Sequence, residues 1–435
     1  CGGGVSCPDY ISILAIEQAM ADGVDVINYS IGGEPTDPWD SPLSLAFLAA
    51  KEAGIFVAMA TGNYGNAPET ILSPANAPWM MSVGGVTAHA RFDNALTLSG
   101  RGSTPPAGLI GSSVTAGYGS APLVFASQYT HTVGIFDSGQ CTSAFPAGTW
   151  TGEIVYCATG VSGRTAKANN VMAGGAGGVV IDGAQSYFQS IGIDRFNLPG
   201  INLLTNDAIT LTAWLNSGSG HMATIGGTVR ALDPTYGDEM HVGSSRGPAL
   251  FADNVMKPSL VAPAVKIWGA GSSYFTSGLS LFTGTSQASP HVAGAGALLM
   301  ALHPDWSPAE IESALMLTAV SSVYEPDGSP ADPFDQGSGR MELTAVSRTG
   351  LLLDENEANF IAANPAIGGD SASLNIASLM NGSCPQTCTW TRTFRNPLAV
   401  AGSWTISVGQ PITAVVSVTP STFTKAPGAP ACTNH

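Results

Sequence analysis

Two apolar runs fix most of what this chain can become. VDVINYSIGG (24–33) and IFVAMATGN (55–63) are hydrophobic almost throughout, and each ends in glycine or asparagine. A strand with so few polar positions is covered on both faces. Between the runs lies SPLSLAFLAAKEAG (41–54), a helical stretch closed by Gly54. Ahead of them, SILAIEQAMADG (12–23) places Ile13, Ile16, Ala19 and Met20 at helical spacing and stops at Gly23. WMMSVGGV (79–86) is predicted as a third strand. Strand–helix–strand with short links means a parallel sheet with right-handed crossovers, an α/β fold with helices on both faces. In open α/β sheets the active crevice lies outside the carboxyl ends of the strands. That rule brings Ser30, Ile31 and Gly32 together with Ala60, Thr61, Gly62 and Asn63.

From about residue 104 the character changes. STPPAGLIGSSVTAGYGSAPL is rich in Gly, Ser and Pro, a boundary signal. Short strand-like runs follow, GEIVYCA (152–158), GGVVIDG (177–183) and LPGINLL (198–204), with helical stretches at 164–175 and 206–218. Residues 104–229 are expected to form a small α/β module set into a larger domain made of 1–103 and 230–345. In the second part Ser307, Pro308 and Glu310 supply an N-cap, a first-turn proline and a capping box. After 346, LNIASL, TWTRTF and GSWTISV alternate between turns, so 346–435 is expected to be an antiparallel β-sandwich.

The 435 residues suit two or three domains. The net charge of −16, with 15 Lys+Arg and no basic cluster, argues against nucleic acid or an anionic membrane as partner. The best membrane candidate, AGAGALLMAL (293–302), falls well short of the ~20 residues a span needs and reads as a buried helix. The chain opens on Cys1 inside a Gly-rich stretch without Met or signal peptide, and is expected to be a segment of something longer. Its cysteines fall in local pairs, Cys1 with Cys7, Cys141 with Cys157 and Cys384 with Cys388, leaving Cys432. None has zinc-site spacing, and in a lysine-poor, loop-rich chain the pairs point to disulfides and an oxidising, extracellular compartment; free buried thiols are the alternative. No cofactor is expected, and no compact Asp-rich loop identifies calcium ligands.

GTSQASPHVAG (284–294) carries the chemistry. Ala288 to Leu302 is small or apolar all round, so its helix is expected to be central and buried. Ser286 stands at its N-terminus, where unsatisfied N–H groups and the helix dipole favour an oxyanion; it is a nucleophile or simply a cap. Asn63, with glycine on both sides in TGNYGN, either donates its amide to an oxyanion or occupies a left-handed turn. A rival G-x-S-x-G match, GSSRG (243–247), would make Ser245 the nucleophile, but two prolines and no helical periodicity follow it.

DVINYSIGG, ATGNYGN and GTSQASPHVAG, in that order, resemble the subtilisin family of serine endopeptidases, and SSRGP (244–248) and MKPSLVAP (256–263) are similar to further blocks of it. The likeness covers roughly 1–103 and 230–345. It implies Ser286 as nucleophile and Asn63 as oxyanion donor. It also implies Ser30, Ile31, Gly32, Ala60, Thr61 and Gly62 as the pocket for the residue before the scissile bond of a polypeptide substrate. The insert resembles a protease-associated domain, and the tail a fibronectin type III-like domain cut short at His435. One departure stands out. The family's catalytic Asp and His motifs precede the DVINYSIGG block, yet only 23 residues precede Val24 here and none is histidine. The seven histidines match no such motif, and His291, five residues into the helix from Ser286, is expected to pack rather than catalyse. The base is therefore expected on a part of the protein outside this chain, which alone is expected to be inactive. The other reading is a non-catalytic homologue that binds or scaffolds.

Overall fold

The computed structural model describes residues 7–101, 103–132, 137–160, 162–184, 194–271, 278–409, 415–427 and 432–434. The expected Cys1–Cys7 pairing lies outside them. The chain separates into two compact units, residues 1–87 with 238–435, and residues 88–237.

In the first unit, helix α1 (Asp9–Asp22) ends at Gly23 in the left-handed region, as its sequence demands. Strand β1 (Val26–Tyr29) leads to helix α2 (Pro42–Glu52), whose N-cap Ser41 accepts from the Ser44 N–H. Strands β2 (Phe56–Ala60) and β3 (Met81–Val86) follow and are wholly buried.

The second unit begins within what composition assigned to the first part of the larger domain. Strand β4 (Ala90–Arg101) pairs with later strands of that unit, and side-chain composition alone does not reveal such partners. It continues through β5 (Leu109–Gly111), β6 (Tyr118–Phe125), β7 (Ile154–Cys157), helix α3 (Arg164–Ala173), β8 (Gly178–Ala184), β9 (Gly200–Leu204), helix α4 (Thr205–Leu215), β10 (Ser219–Ile225) and β11 (Val229–Leu232). The sheet order is β11-β4-β10-β6-β7-β8-β9, with β5 on β4. β6 to β9 run parallel, as their apolar runs require. A Cys141–Cys157 disulfide ties the loop before β7 to its end.

Back in the first unit, β12 (Leu260–Pro263) completes a parallel sheet of order β1-β2-β3-β12. A hairpin, β13 (Ile267–Gly271) and β14 (Gly278–Phe282), leads into helix α5 (Thr285–Leu302), and α6 (Pro308–Leu317) follows with both capping-box hydrogen bonds made. The period-two alternation of β2 sorts its side chains. Phe56 and Ala58 join Ala288, Val292, Ala295 and Leu299 of α5, while Val57 and Met59 join Phe47, Leu48 and Trp79 on the opposite face.

The tail belongs to the first unit and is stapled to it. Leu352 enters one core and Phe360 the other, the Phe360 carbonyl accepts from Trp39 Nε1 at 2.8 Å, and Arg395 pairs with Glu310. The expected sandwich strands are reduced among the described residues to Arg392–Phe394 and Gly402–Thr405, each in a two-stranded pair. LNIASL forms no strand. Its carbonyls at Ile376 and Ser378 are taken by the Arg392 guanidinium, and Asn375 bonds Thr393 through its side chain, so side chains replace the ladder. A second disulfide joins Cys384 and Cys388.

α5 lies close on the sheet because Gly296 has no Cβ. One added there would sit 2.3 Å from the Phe56 ring, which is fully buried and has nowhere to move. Gly296→Ala therefore loses stability by about 1–3 kcal/mol in denaturant unfolding, outweighing the roughly 1 kcal/mol that alanine contributes to an open helix.

Candidate functional site

The crevice forms where the ends of β1 and β2 meet the N-terminus of α5. Gly284, the N-cap, has φ 146°, a conformation that side chains avoid, and the Asn63 amide lies against it. Thr285, fully buried, holds the junction. Its N–H donates to Asn63 Oδ1 at 2.9 Å, and its hydroxyl accepts from the Gly62 N–H at 3.2 Å. The single hydroxyl proton is shared between the Gly62 carbonyl and Asn63 Oδ1, each at 3.1 Å. Asn63 is exposed, and its oxygen is committed to Thr285 rather than its Nδ2 hydrogens.

Ser286 is half-buried in the first turn of α5. Its Oγ donates to the Ser30 carbonyl at 3.4 Å, and Ser30 Oγ donates to the Ser286 carbonyl at 3.0 Å. Ser30 is steadied by the Asn28 amide at 3.1 Å, whose oxygen accepts from Ser289 at 2.7 Å. The structure thus brings Ser30, Ser286, Asn63 and Gly62 together around Thr285. Ala60 and Thr61 are buried at the end of β2, and Ile31 is exposed.

Sequence reasoning missed Leu72. A Cβ on Gly32 would lie 2.9 Å from Leu72, and one on Gly62 would lie 2.6 Å from it. Leu72 therefore rests against both lips, fixed by its N–H to the Thr61 carbonyl at 2.9 Å and by the adjoining Gly33–Ser73 bridge. No motif marks a lone leucine in ETILSPAN; only the glycine pair facing it could have hinted at it. Ser245, the discarded rival, is fully buried and structural: its Oγ accepts from the Tyr64 N–H at 3.1 Å, and its own N–H donates to the Gly62 carbonyl at 3.0 Å.

Three histidines of this unit lie among the described residues. Burial, then the nearby Arg246 charge, push the His241 pKa below the usual imidazole value, so it is neutral at pH 7. His303 stacks on Trp306 with ring centroids 4.0 Å apart. His291, expected to pack, is exposed instead, with Nδ1 2.7 Å from the Gln287 carbonyl. The reason is that α5 is covered on one face only. Ser286 lines an open groove of about 550 Å³ with Ile267, Trp268, Phe282, Pro290 and His291. Among the described residues no group of three or more His, Cys, Asp or Glu could hold a metal ion, and no helix is long and apolar enough to cross a membrane.

A serine at a helix N-terminus, beside an amide whose oxygen is tied down and whose hydrogens are not, is the layout that nucleophilic acyl transfer asks of a site. Residues 2–339 match the Subtilase family. The chain is 32% identical over 405 residues to Subtilisin-like protease SBT1.6 of Arabidopsis thaliana, covering 88% of this chain and 52% of that protein. It is 33% identical over 417 residues to Subtilisin-like protease SBT2.1 of the same plant, covering 82% and 49%, and 29% identical over 406 residues to SBT1.7, covering 88% and 52%. The chain belongs to the subtilase family. It spans about half the length of the curated relatives it matches.

Thr285→Val keeps the shape and deletes the hydroxyl, leaving the buried Gly62 N–H without its acceptor. The expected loss is about 1–3 kcal/mol of folding stability, read from denaturant midpoints, with Thr285→Ser restoring most of it. Equal midpoints for the Val and Ser variants would show that the junction does not depend on this hydroxyl.

Proposed function

We propose that this chain is the nucleophile-bearing half of a secreted serine endopeptidase. The observation that carries the reading is the Thr285 clamp, which orients the Asn63 amide beside Ser286. Ser286 Oγ attacks the scissile carbonyl, and Asn63 Nδ2 with the first-turn N–H groups of α5 receives the oxyanion. Ser30, Ile31, Gly32, Ala60, Thr61 and Gly62 line the pocket for the residue before the scissile bond. The base that takes the Ser286 proton, and the carboxylate that orients it, come from outside this sequence; among the described residues the Ser286 hydroxyl bonds a backbone carbonyl, that of Ser30. The reaction calls for no cofactor, and the substrates are polypeptides rather than nucleic acid or membrane. The Cys141–Cys157 and Cys384–Cys388 disulfides support an oxidising, extracellular setting. The inserted unit is read as a protease-associated domain and the tail as a fibronectin type III-like domain.

Asn63→Ala in the complete protein lowers kcat about 10²–10³-fold with KM nearly unchanged, the magnitude being that of the oxyanion asparagine in subtilisin itself. A loss confined to KM would remove Asn63 from the oxyanion role. A complete protein that neither cleaves peptides nor reacts with a fluorophosphonate would favour a binding homologue.

Leu72 rests against both glycine lips and is read as the floor of this pocket. Leu72→Ala is expected to move the preference before the scissile bond from small toward aromatic residues, by about ten-fold or more in kcat/KM ratio. Profiling with a peptide library checks it; an unchanged profile would place the pocket elsewhere.

A further inference from the structure

A cavity of about 30 Å³ lies where α2, α6, the segment before β12 and the tail come together, and Lys51, Lys257, Glu312 and Asn375 stand on its wall. None of the residues that line it belongs to the crevice at Ser286. Lys257 is 1% exposed, and its Nζ donates to the Met80 carbonyl at 2.5 Å. An ammonium carries three donors, yet among the described residues Lys257 makes no second hydrogen bond. Lys51, 6% exposed, donates to the adjacent Trp79 carbonyl at 3.1 Å and pairs with Glu312 at 2.6 Å. Glu355, the remaining charged group on the wall, is committed elsewhere. Its carboxylate accepts from the Asn375 N–H and from the Asn359 amide, each at 2.6 Å.

Two ammonium groups therefore share one carboxylate, and a positive charge is left over in a buried place. Such an excess is costly, and it resolves in one of two ways: the cation sheds its proton, or an anion joins it. Burial favours the first and holds the Lys257 pKa at about 7, with Glu312 opposing and Lys51 adding to the shift. Below that pH only the second remains. The cavity has the right measure for it. A space of roughly 10–15 Å³ admits one water, so this one has room for a single halide-sized ion. A water there would accept the spare Lys257 hydrogens and leave the charge uncompensated.

We infer that the cavity binds one small monovalent anion, the size of chloride or bromide, held by the ammonium groups of Lys257 and Lys51. As counter-ion it lets Lys257 keep its proton in the folded protein. Phe360 and Asn375 share the wall, so occupancy also steadies the tail against α2 and α6. The site stands or falls independently of the protease reading.

Thermal midpoints of the complete protein in sodium chloride, bromide and gluconate, at one ionic strength, test it. At pH 6 chloride and bromide are expected to raise the midpoint over gluconate by about 2–4 °C for each ten-fold rise past half-saturation. Near pH 9, where Lys257 without the ion is neutral, the gain shrinks. Lys257→Met removes the excess charge, so the difference between chloride and gluconate vanishes. Glu312→Gln adds to the excess, so half-saturation moves to at least ten-fold lower chloride. A chloride gain of equal size in wild type and Lys257→Met, or at pH 6 and pH 9, is a general salt effect and overturns the inference. So does a wild type indifferent to chloride, because water then fills the cavity. Should Lys257→Met fail to fold, a Glu312→Gln protein that needs as much chloride as wild type, or more, overturns it equally.

Discussion

The hydroxyl of Thr285 is the tie on which the site depends. The end of β2 and the start of α5 are more than 200 residues apart in sequence, and each reaches the junction with backbone groups that its own element cannot satisfy. The helix offers an N–H without an intrahelical acceptor, and the strand offers Gly62 just past its last ladder bond. One buried hydroxyl and one side-chain amide close this account. Because the same contact fixes the rotation of the Asn63 amide, the stability of the junction and the polarity of the crevice are set by one interaction. Gly284 and Gly62 are glycines for a related reason: both hold positive φ, and both admit a neighbour where a Cβ would stand.

A chain with few charges places its cations with care. Of 15 Lys and Arg residues, six are buried among the described residues: Lys51, Lys167, Arg246, Lys257, Arg392 and Lys425. They serve as hydrogen-bond donors to loop carbonyls more than as surface charge. Lys257 donates to Met80 at 2.5 Å, Lys167 to Gln140 and Ala158, and Arg392 to Ile376 and Ser378. Burial lowers the Lys257 pKa to about 7, with the nearby Glu312 carboxylate opposing and Lys51 adding to the shift. Its folded value lies below the unfolded one, so between about pH 7 and pH 10 the unfolded chain binds the extra proton and stability rises with pH through that window.

What the sequence made legible was whatever repeats with a period or sits at a chain signal. β2 and β3 were visible as unbroken apolar runs, α2 and α6 from their caps, and β7, β8 and β9 from short apolar stretches between glycines. The crevice was visible too, because glycine and asparagine after a strand mark its carboxyl end. The pairing of β4 with β10 and β11 was not, since a strand's partner more than 100 residues away leaves no local trace. Leu72 and Thr285 were passed over for the opposite reason: nothing distinguishes them from ordinary core residues until their neighbours in space are known. In the tail, alternation at LNIASL promised a strand, but a single arginine satisfies those carbonyls.

The sequence also said that α5 is buried all round, and here the chain and its composition disagree. Composition records what a helix is selected to touch, whereas exposure records only what is present to touch it. A residue pattern that is apolar on every face costs little in a covered helix and much in a bare one, at roughly 25 cal/mol for each Å² of apolar surface left in water. The same holds for β1, apolar in sequence and half-buried in place. Two adjoining elements that fail the same expectation in the same direction, beside a serine whose hydroxyl bonds a carbonyl, are better explained by one uncovered surface than by two separate irregularities.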